Sequence, residues 1–289
     1  MQDSVEYASA IFSTIVERGV EEVRSLLMLA LCLLLVSVIR KRRNFRGIYL
    51  QCTPSSLRVN CLIYVLNALV LAIPYAVLAS ASYEFVLRNG PLLIRPERFD
   101  AAPAWLVVIA ALVFVDFVNY FLHRMLHTVW LWPVHELHHS DEQMTWFTEH
   151  RGHPLNMAFV FAVDFMAFAA VGFPLWAIGA ASVIASYYTY FIHSNLPWTL
   201  GRFGKIIVSP AMHRWHHARD SSKGRNFAGM FAFIDVLFGT FYCPGVCMKA
   251  TGVEGAKQSE FLWLLTEPFI TLARTWSGLV LGRRRSRPR

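Results

Sequence analysis

Residues 155–192 read LNMAFVFAVDFMAFAAVGFPLWAIGAASVIASYYTYFI, an apolar run with one charge, Asp164, and a break at Gly172-Phe173-Pro174 near its middle. A Gly-x-Pro interruption is where one helix stops and another begins. The stretch therefore predicts a helical hairpin in a membrane, two passes of roughly 18 residues each, near the lower limit for crossing the hydrocarbon. Further apolar runs lie on either side. Ser25–Ile39 is short, and spans only if its flanking charges reach back to the headgroups; Val59–Tyr83 is a clean candidate; Ala101–Leu122 is interrupted by Asp116. The last run, Phe261–Gly282, carries Glu267 and Arg274 and reads as an amphipathic helix lying in the interface rather than a span.

Composition agrees. The 289 residues are 55% hydrophobic and only 16% charged, against about 25% charged in soluble chains, and the mean hydropathy is +0.41. So apolar a chain is not intrinsically disordered. Its five cysteines are too few and odd-numbered for a disulfide framework. The net charge of +8 sits largely in two arginine clusters, Arg40–Arg46 and Arg283–Arg289. Short basic runs beside spans are what anionic lipid attracts, so no nucleic-acid partner is expected. By the positive-inside rule both clusters face the cytoplasm, with the N-terminus outside. No cleavable signal is evident, since the first apolar run is followed by Arg40, Lys41, Arg42 and Arg43.

Eight of the eleven histidines fall in three clusters: His123-Arg-Met-Leu-His127, His135-Glu-Leu-His138-His139 and His213-Arg-Trp-His216-His217. Spacings of three and four residues put these imidazoles on shared helix faces, all on the predicted cytoplasmic side. Imidazole suits zinc, copper, iron and nickel, and three helices bearing such pairs can surround two metal ions. A lone pair would be read as polar interfacial residues; the repetition makes a metal site the better reading. The expected fold is an all-α integral membrane protein of about four transmembrane helices, with a cytosolic helical cap holding a di-metal site. Its parts are N-terminal membrane helices (1–100), a histidine-box catalytic domain (101–245) and a C-terminal interfacial helix with basic tail (246–289).

The order of these boxes around a hydrophobic hairpin resembles the fatty acid hydroxylase/sterol desaturase superfamily of integral-membrane di-iron enzymes. The likeness covers roughly Asp116 to Gly239. It includes Asp116-Phe-Val-Asn-Tyr120, Ser140 after His139, Arg151-Gly-His153-Pro154, Ile192-His193-Ser194-Asn195, Asn226-Phe227 and Asp235-Val-Leu-Phe-Gly-Thr240. The resemblance implies two irons (zinc being able to substitute in purified protein) on His123, His127, His135, His138, His139, His213, His216 and His217. It adds His193 as a ninth ligand and His153 with less weight; His150 matches no position and reads as a surface or supporting residue. It further implies dioxygen as co-substrate, a lipid substrate from the bilayer and a bacterial inner-membrane setting.

Such chemistry hydroxylates or desaturates an unactivated C–H bond, and the ligand set alone does not separate the two outcomes. The substrate stays open among sterol or hopanoid-like, acyl, ether and amino lipids. No dinucleotide-binding glycine motif, iron–sulfur spacing or fused cytochrome b5-like segment is present, so electrons are expected from a separate cytochrome b5-like protein, ferredoxin or reductase. Neutral imidazoles leave two metals strongly cationic, which calls for carboxylates nearby. Asp116, two turns before His123, is one candidate, with Glu136 and Asp235, and Arg124 and Arg214 as their pairing partners. Trp130, Trp132, Trp146, Phe147 and Trp215 interleave with the boxes, as an interfacial belt or as the lining of a substrate channel. The competing reading is a histidine-rich metal-binding or transport protein. Transport sites sit near the bilayer midplane, whereas these boxes fall at the span ends.

Overall fold

The computed structural model describes residues 53–280 apart from 91, 100, 220–223 and 258. The expected first span, Ser25–Ile39, and both arginine clusters lie outside the described residues. Among the described residues the regular structure is helical, apart from one isolated bridge between Ala218 and Thr251. Its main helices are α1 (Pro54–Val65), α2 (Ala72–Asn89), α3 (Ala104–Leu126), α4 (Trp132–His139), α5 (Pro154–Val171), α6 (Leu175–His193), α7 (Pro210–His217), α8 (Ala232–Leu237) and α9 (Phe261–Val280).

Three of these, α3, α5 and α6, are long and apolar enough to cross a membrane, and α1 with α2 makes a fourth candidate if the bent pair counts as one. The chain is a multi-pass membrane protein. The hairpin forms as its sequence predicts. Proline opens α5 at Pro154 and precedes α6 at Pro174, where a missing N–H costs nothing. Gly172 closes α5 in the left-handed region at φ +91°, and a Cβ there would lie 2.0 Å from the Ile94 carbonyl oxygen, so only glycine fits.

Bonds at both ends give the helix directions. Tyr75 at the start of α2 reaches the Pro154 carbonyl, and Tyr83 near its end reaches that of Phe173, so α2 runs alongside α5 in the same sense. Helix α3 begins at the hairpin corner, where Val107, Ala111 and Leu112 pack with Phe173, Ala177 and Ile178, and finishes at the histidines. Helices α2, α3, α5 and α6 thus each connect a Gly172 end to a histidine end.

The expected straight span Val59–Tyr83 is broken. A π-helical segment, Leu66–Val70, separates α1 from α2, and the two halves bend by 55°. The cause is polar. Ser56 and Asn60 on α1 bind the carboxylate of Asp141, and Asn60 also accepts from Arg151, so α1 is drawn onto the histidine end. At the bend, Asn67 donates to the Gly152 carbonyl and accepts from Tyr75. Helix α9 is not among the candidate spans. It lays Leu264 against Val59, Ile63 and Leu137 and leaves Leu262, Phe269, Ile270 and Trp276 exposed, as an interfacial amphipathic helix would.

Candidate metal centre

Nine histidines converge at the cap. One group gathers His123, His127, His135, His139 and His216, the other His138, His193, His213 and His217; within each, one ligand atom per residue lies within 4.8 Å of all the others. The helical repeat explains the partition. Successive residues on a helix point about 100° apart, so adjacent histidines in a His-x-x-His-His box diverge while positions one and five share a face. Helix α4 therefore sends His135 and His139 to the larger group and His138 to the smaller. Helix α7 does the reverse, sending His213 and His217 to the smaller group and His216 to the larger. Each box serves both groups. Serine starts α7, with Ser209 Oγ accepting from Met212 N–H and Pro210 in the first turn.

The hydrogen bonds test whether cations fit here. His123 Nδ1 lies 2.8 Å from the Phe227 carbonyl oxygen, His216 Nδ1 2.8 Å from that of Arg225 and His193 Nδ1 2.8 Å from that of Thr189. A carbonyl only accepts, so the proton sits on Nδ1 and Nε2 presents a lone pair inward. Those lone pairs are crowded together. His216 and His139 Nε2 are 3.2 Å apart, His193 and His213 3.0 Å, and His193 and His138 3.2 Å. His123 and His127 Nε2 are buried with no hydrogen-bond partner among the described residues. Too few protons exist to satisfy so many inward acceptors, and a metal ion in each group would engage them all.

The electrostatics agree. Burial pushes the His138 imidazole down to about 3. Burial and neighbouring imidazoles hold His127, His135, His139, His213, His216 and His217 well below their ordinary value. These seven imidazoles are therefore neutral, the state metal ligation requires.

His153, the less certain ligand of the sequence reading, belongs to neither group. Its Nδ1 accepts from Leu155 N–H as the cap of α5, and its Nε2 lies 3.2 Å from the Leu265 carbonyl on α9. Both nitrogens are used in joining elements. His150 also stands apart, packed among Tyr64, Phe147 and Tyr190.

The candidate carboxylates work at one remove. Asp116 accepts from the backbone N–H groups of Gly229, Met230 and Phe231, and Asp235 from those of Phe227 and Ala228 and from the Thr240 hydroxyl. Neither forms a hydrogen bond to a histidine; both shape the loop whose carbonyls hold His123 and His216. Every residue from Arg225 to Phe231 has such an anchor, since Asn226 binds Met212 and Tyr242 and Met230 accepts from Val208. Glu136 sits outside this scheme, its carboxyl raised by burial and by nearby Glu267. Arg124 is exposed, and Arg214 lines a cleft with Glu142, Gln143 and Met144; among the described residues neither forms an ion pair with the three carboxylates.

Three supporting residues escaped sequence reasoning. Glu149 places its carboxylate 3.0 Å from His193 Nδ1, Asn156 places its amide oxygen 3.2 Å from His135 Nδ1, and Thr189 holds His193 through its carbonyl. Only Glu149, an acid set between the second and third boxes, carried a residue-type signal. Of the interleaved aromatics, Trp132 covers the larger group, its ring 5.1 Å from His127 and 5.3 Å from His139. Trp215 donates to Gly245, and Trp130 is exposed.

Fold and site together define a multi-pass helical membrane protein with a buried polyhistidine centre suited to two metal ions. Residues 108–240, which hold all nine histidines, match the model of the family described as Fatty acid hydroxylase. Several curated proteins are similar. The ornithine lipid hydroxylase OlsE of Rhizobium tropici is 28% identical over 59% of this chain and 52% of its own length. The very-long-chain aldehyde decarbonylase GL1-11 of Oryza sativa subsp. indica is 28% identical over 65% of this chain and 70% of its own. Methylsterol monooxygenase 2-2 of Arabidopsis thaliana is 30% identical over 48% of this chain and 54% of its own. The chain thus spans about half the length of the first and third of these relatives. No solved structure matches.

Proposed function

We propose that this chain oxidises an unactivated C–H bond of a membrane lipid, using dioxygen and electrons from a separate carrier, with its nine histidines holding two irons. The observation that carries the reading is the pair of inward-facing imidazole groups, five and four strong, at one end of the crossing helices, in a segment whose relatives are named for lipid hydroxylation, sterol mono-oxygenation and aldehyde decarbonylation. Iron bound there supplies the reductive activation of dioxygen.

The protein's own part is placement. Carbonyls of Phe227, Arg225 and Thr189 fix three imidazole tautomers, and Trp132 and Phe227 wall the larger group against water. His123 and His127 are half-buried, at the end of a helix whose Phe117, Phe121 and Met125 are exposed. A lipid chain approaches the larger group along that greasy side. The cap and the C-terminus face the cytoplasm, where the electron carrier docks, and the basic clusters meet anionic lipid. Site position argues against transport, since the ligands sit at one end of the crossing helices.

The test compares lipid extracts of cells carrying the wild-type chain with those carrying His216→Ala. Wild type is expected to show one lipid class gaining an oxygen atom or losing two hydrogens, and the variant to abolish that product while remaining in the membrane. Identical lipid profiles in wild-type and empty cells, or full product from His216→Ala, would overturn the proposal.

A further inference from the structure

The two histidine groups differ in what stands behind them. In the larger, His123 and His216 donate Nδ1–H to peptide carbonyls, and His135 Nδ1 meets the neutral amide oxygen of Asn156. In the smaller, His193 Nδ1 lies between the Thr189 carbonyl and Glu149 Oε2, at 2.8 and 3.0 Å. The His193 side chain is 3% exposed and that of Glu149 29%, so the bond is shielded from water on the imidazole side. Among the described residues Glu149 is the one carboxylate within ion-pair distance of a histidine in either group. His193 is also the hub of its group, with Nε2 3.0 Å from His213 and 3.2 Å from His138.

Resting on the di-metal reading above, we propose that Glu149 is a positioning residue that makes the two metal sites electronically unequal. An imidazole that donates its outer N–H to a carboxylate becomes a stronger donor through its inner nitrogen than one bonded to a neutral oxygen. Glu149 also places a negative charge behind the group with fewer ligands. Both effects favour the higher charge state of the ion in the four-histidine group.

The test loads purified full-length protein anaerobically with 57Fe(II) and records Mössbauer spectra beside a metal count. Wild type is expected to hold two irons with two resolved signals. Glu149→Gln keeps an oxygen acceptor and removes the charge, so both irons should remain and one signal should move. Glu149→Asp, which restores the charge, should move that signal back. Asn156→Asp installs a carboxylate behind His135 and should move the other signal, which decides the matter should Glu149→Gln fail to fold. An unchanged spectrum, equal movement of both signals, loss of iron from folded Glu149→Gln, or movement of the same signal by both substitutions would overturn the proposal. Wild-type protein without iron would instead refute the di-metal reading beneath it.

Discussion

Arg151 is fully buried, which a guanidinium tolerates only when its donors are met. It donates to Ser140 and Asn60, beside Asp141, whose carboxylate also collects Ser56, Asn60 and Thr148. Burial alone would raise the Asp141 carboxyl, but the Arg151 charge and these hydrogen bonds hold it below its ordinary value. A depressed carboxyl contributes stability that is complete above its unfolded pKa of about 4 and is lost as pH falls through the folded value. Asp141→Ala removes a charge beside a buried guanidinium and the acceptor of Ser56, Asn60 and Thr148, and should cost about 3–5 kcal/mol. Thermal unfolding in detergent should show it as a lowered midpoint near neutral pH, with the gap from wild type closing in acid. This clamp was not legible beforehand. Arg151 stood out only as part of an Arg-x-His-Pro element, and its partner Asn60 lies far away along the chain in what reads as a transmembrane run. The nine clustered histidines were legible, eight because helical spacing is local and His193 through family resemblance. Glu149 was not, because its partner comes from another helix.

Among the elements, the hairpin corner shows sequence and structure in closest agreement. Gly172-Phe173-Pro174 predicted the break, and the structure supplies the reason in the positive φ and in the Ile94 carbonyl pressed against the glycine. Gly172→Ala should destabilise the fold by more than about 1 kcal/mol, since alanine at positive φ loses more than it gains in the unfolded chain. Gly179, on α6, has nothing within 4 Å of where a Cβ would lie, and Gly179→Ala should be near neutral. Detergent melting curves of the two variants, compared side by side, check both. The bend between α1 and α2 shows why hydropathy alone falls short. An average over Val59–Tyr83 dilutes Asn60 and Asn67, yet these two amides bind Asp141, Arg151 and Gly152 and turn the chain out of a straight crossing.

For the molecule as a whole, the histidines act collectively. Burial, and after it the neighbouring imidazoles, lowers the tendency of His127, His135, His139, His213, His216 and His217 to take up a proton, so in the metal-free fold these six stay neutral well below the usual imidazole pKa. Loading metal at about pH 6, where free imidazoles with a pKa near 6.5 are mostly charged, should therefore release less than about one proton per chain. Calorimetric titration in buffers of different ionisation enthalpy measures this, and release of several protons would contradict a preformed neutral cage. By the same linkage the metal-free fold loses stability as pH drops from about 6.5, because the unfolded chain then binds more protons than the folded one. The cap's overall architecture was foreseeable from the boxes, whereas the way each box divides between two groups was not, because that depends on how α4 and α7 face each other.

The segment from Arg225 to Phe231 has a further consequence. Surface loops ordinarily absorb an extra residue with little effect. Here each successive peptide already has an appointed partner, from His216 and His123 through Asp235 to Asp116. One inserted residue would displace the peptides after it by about 3.5 Å, more than the length of any bond they make. In this stretch the count of residues is itself a coded instruction, as binding as the side chains of Asn226 and Phe227.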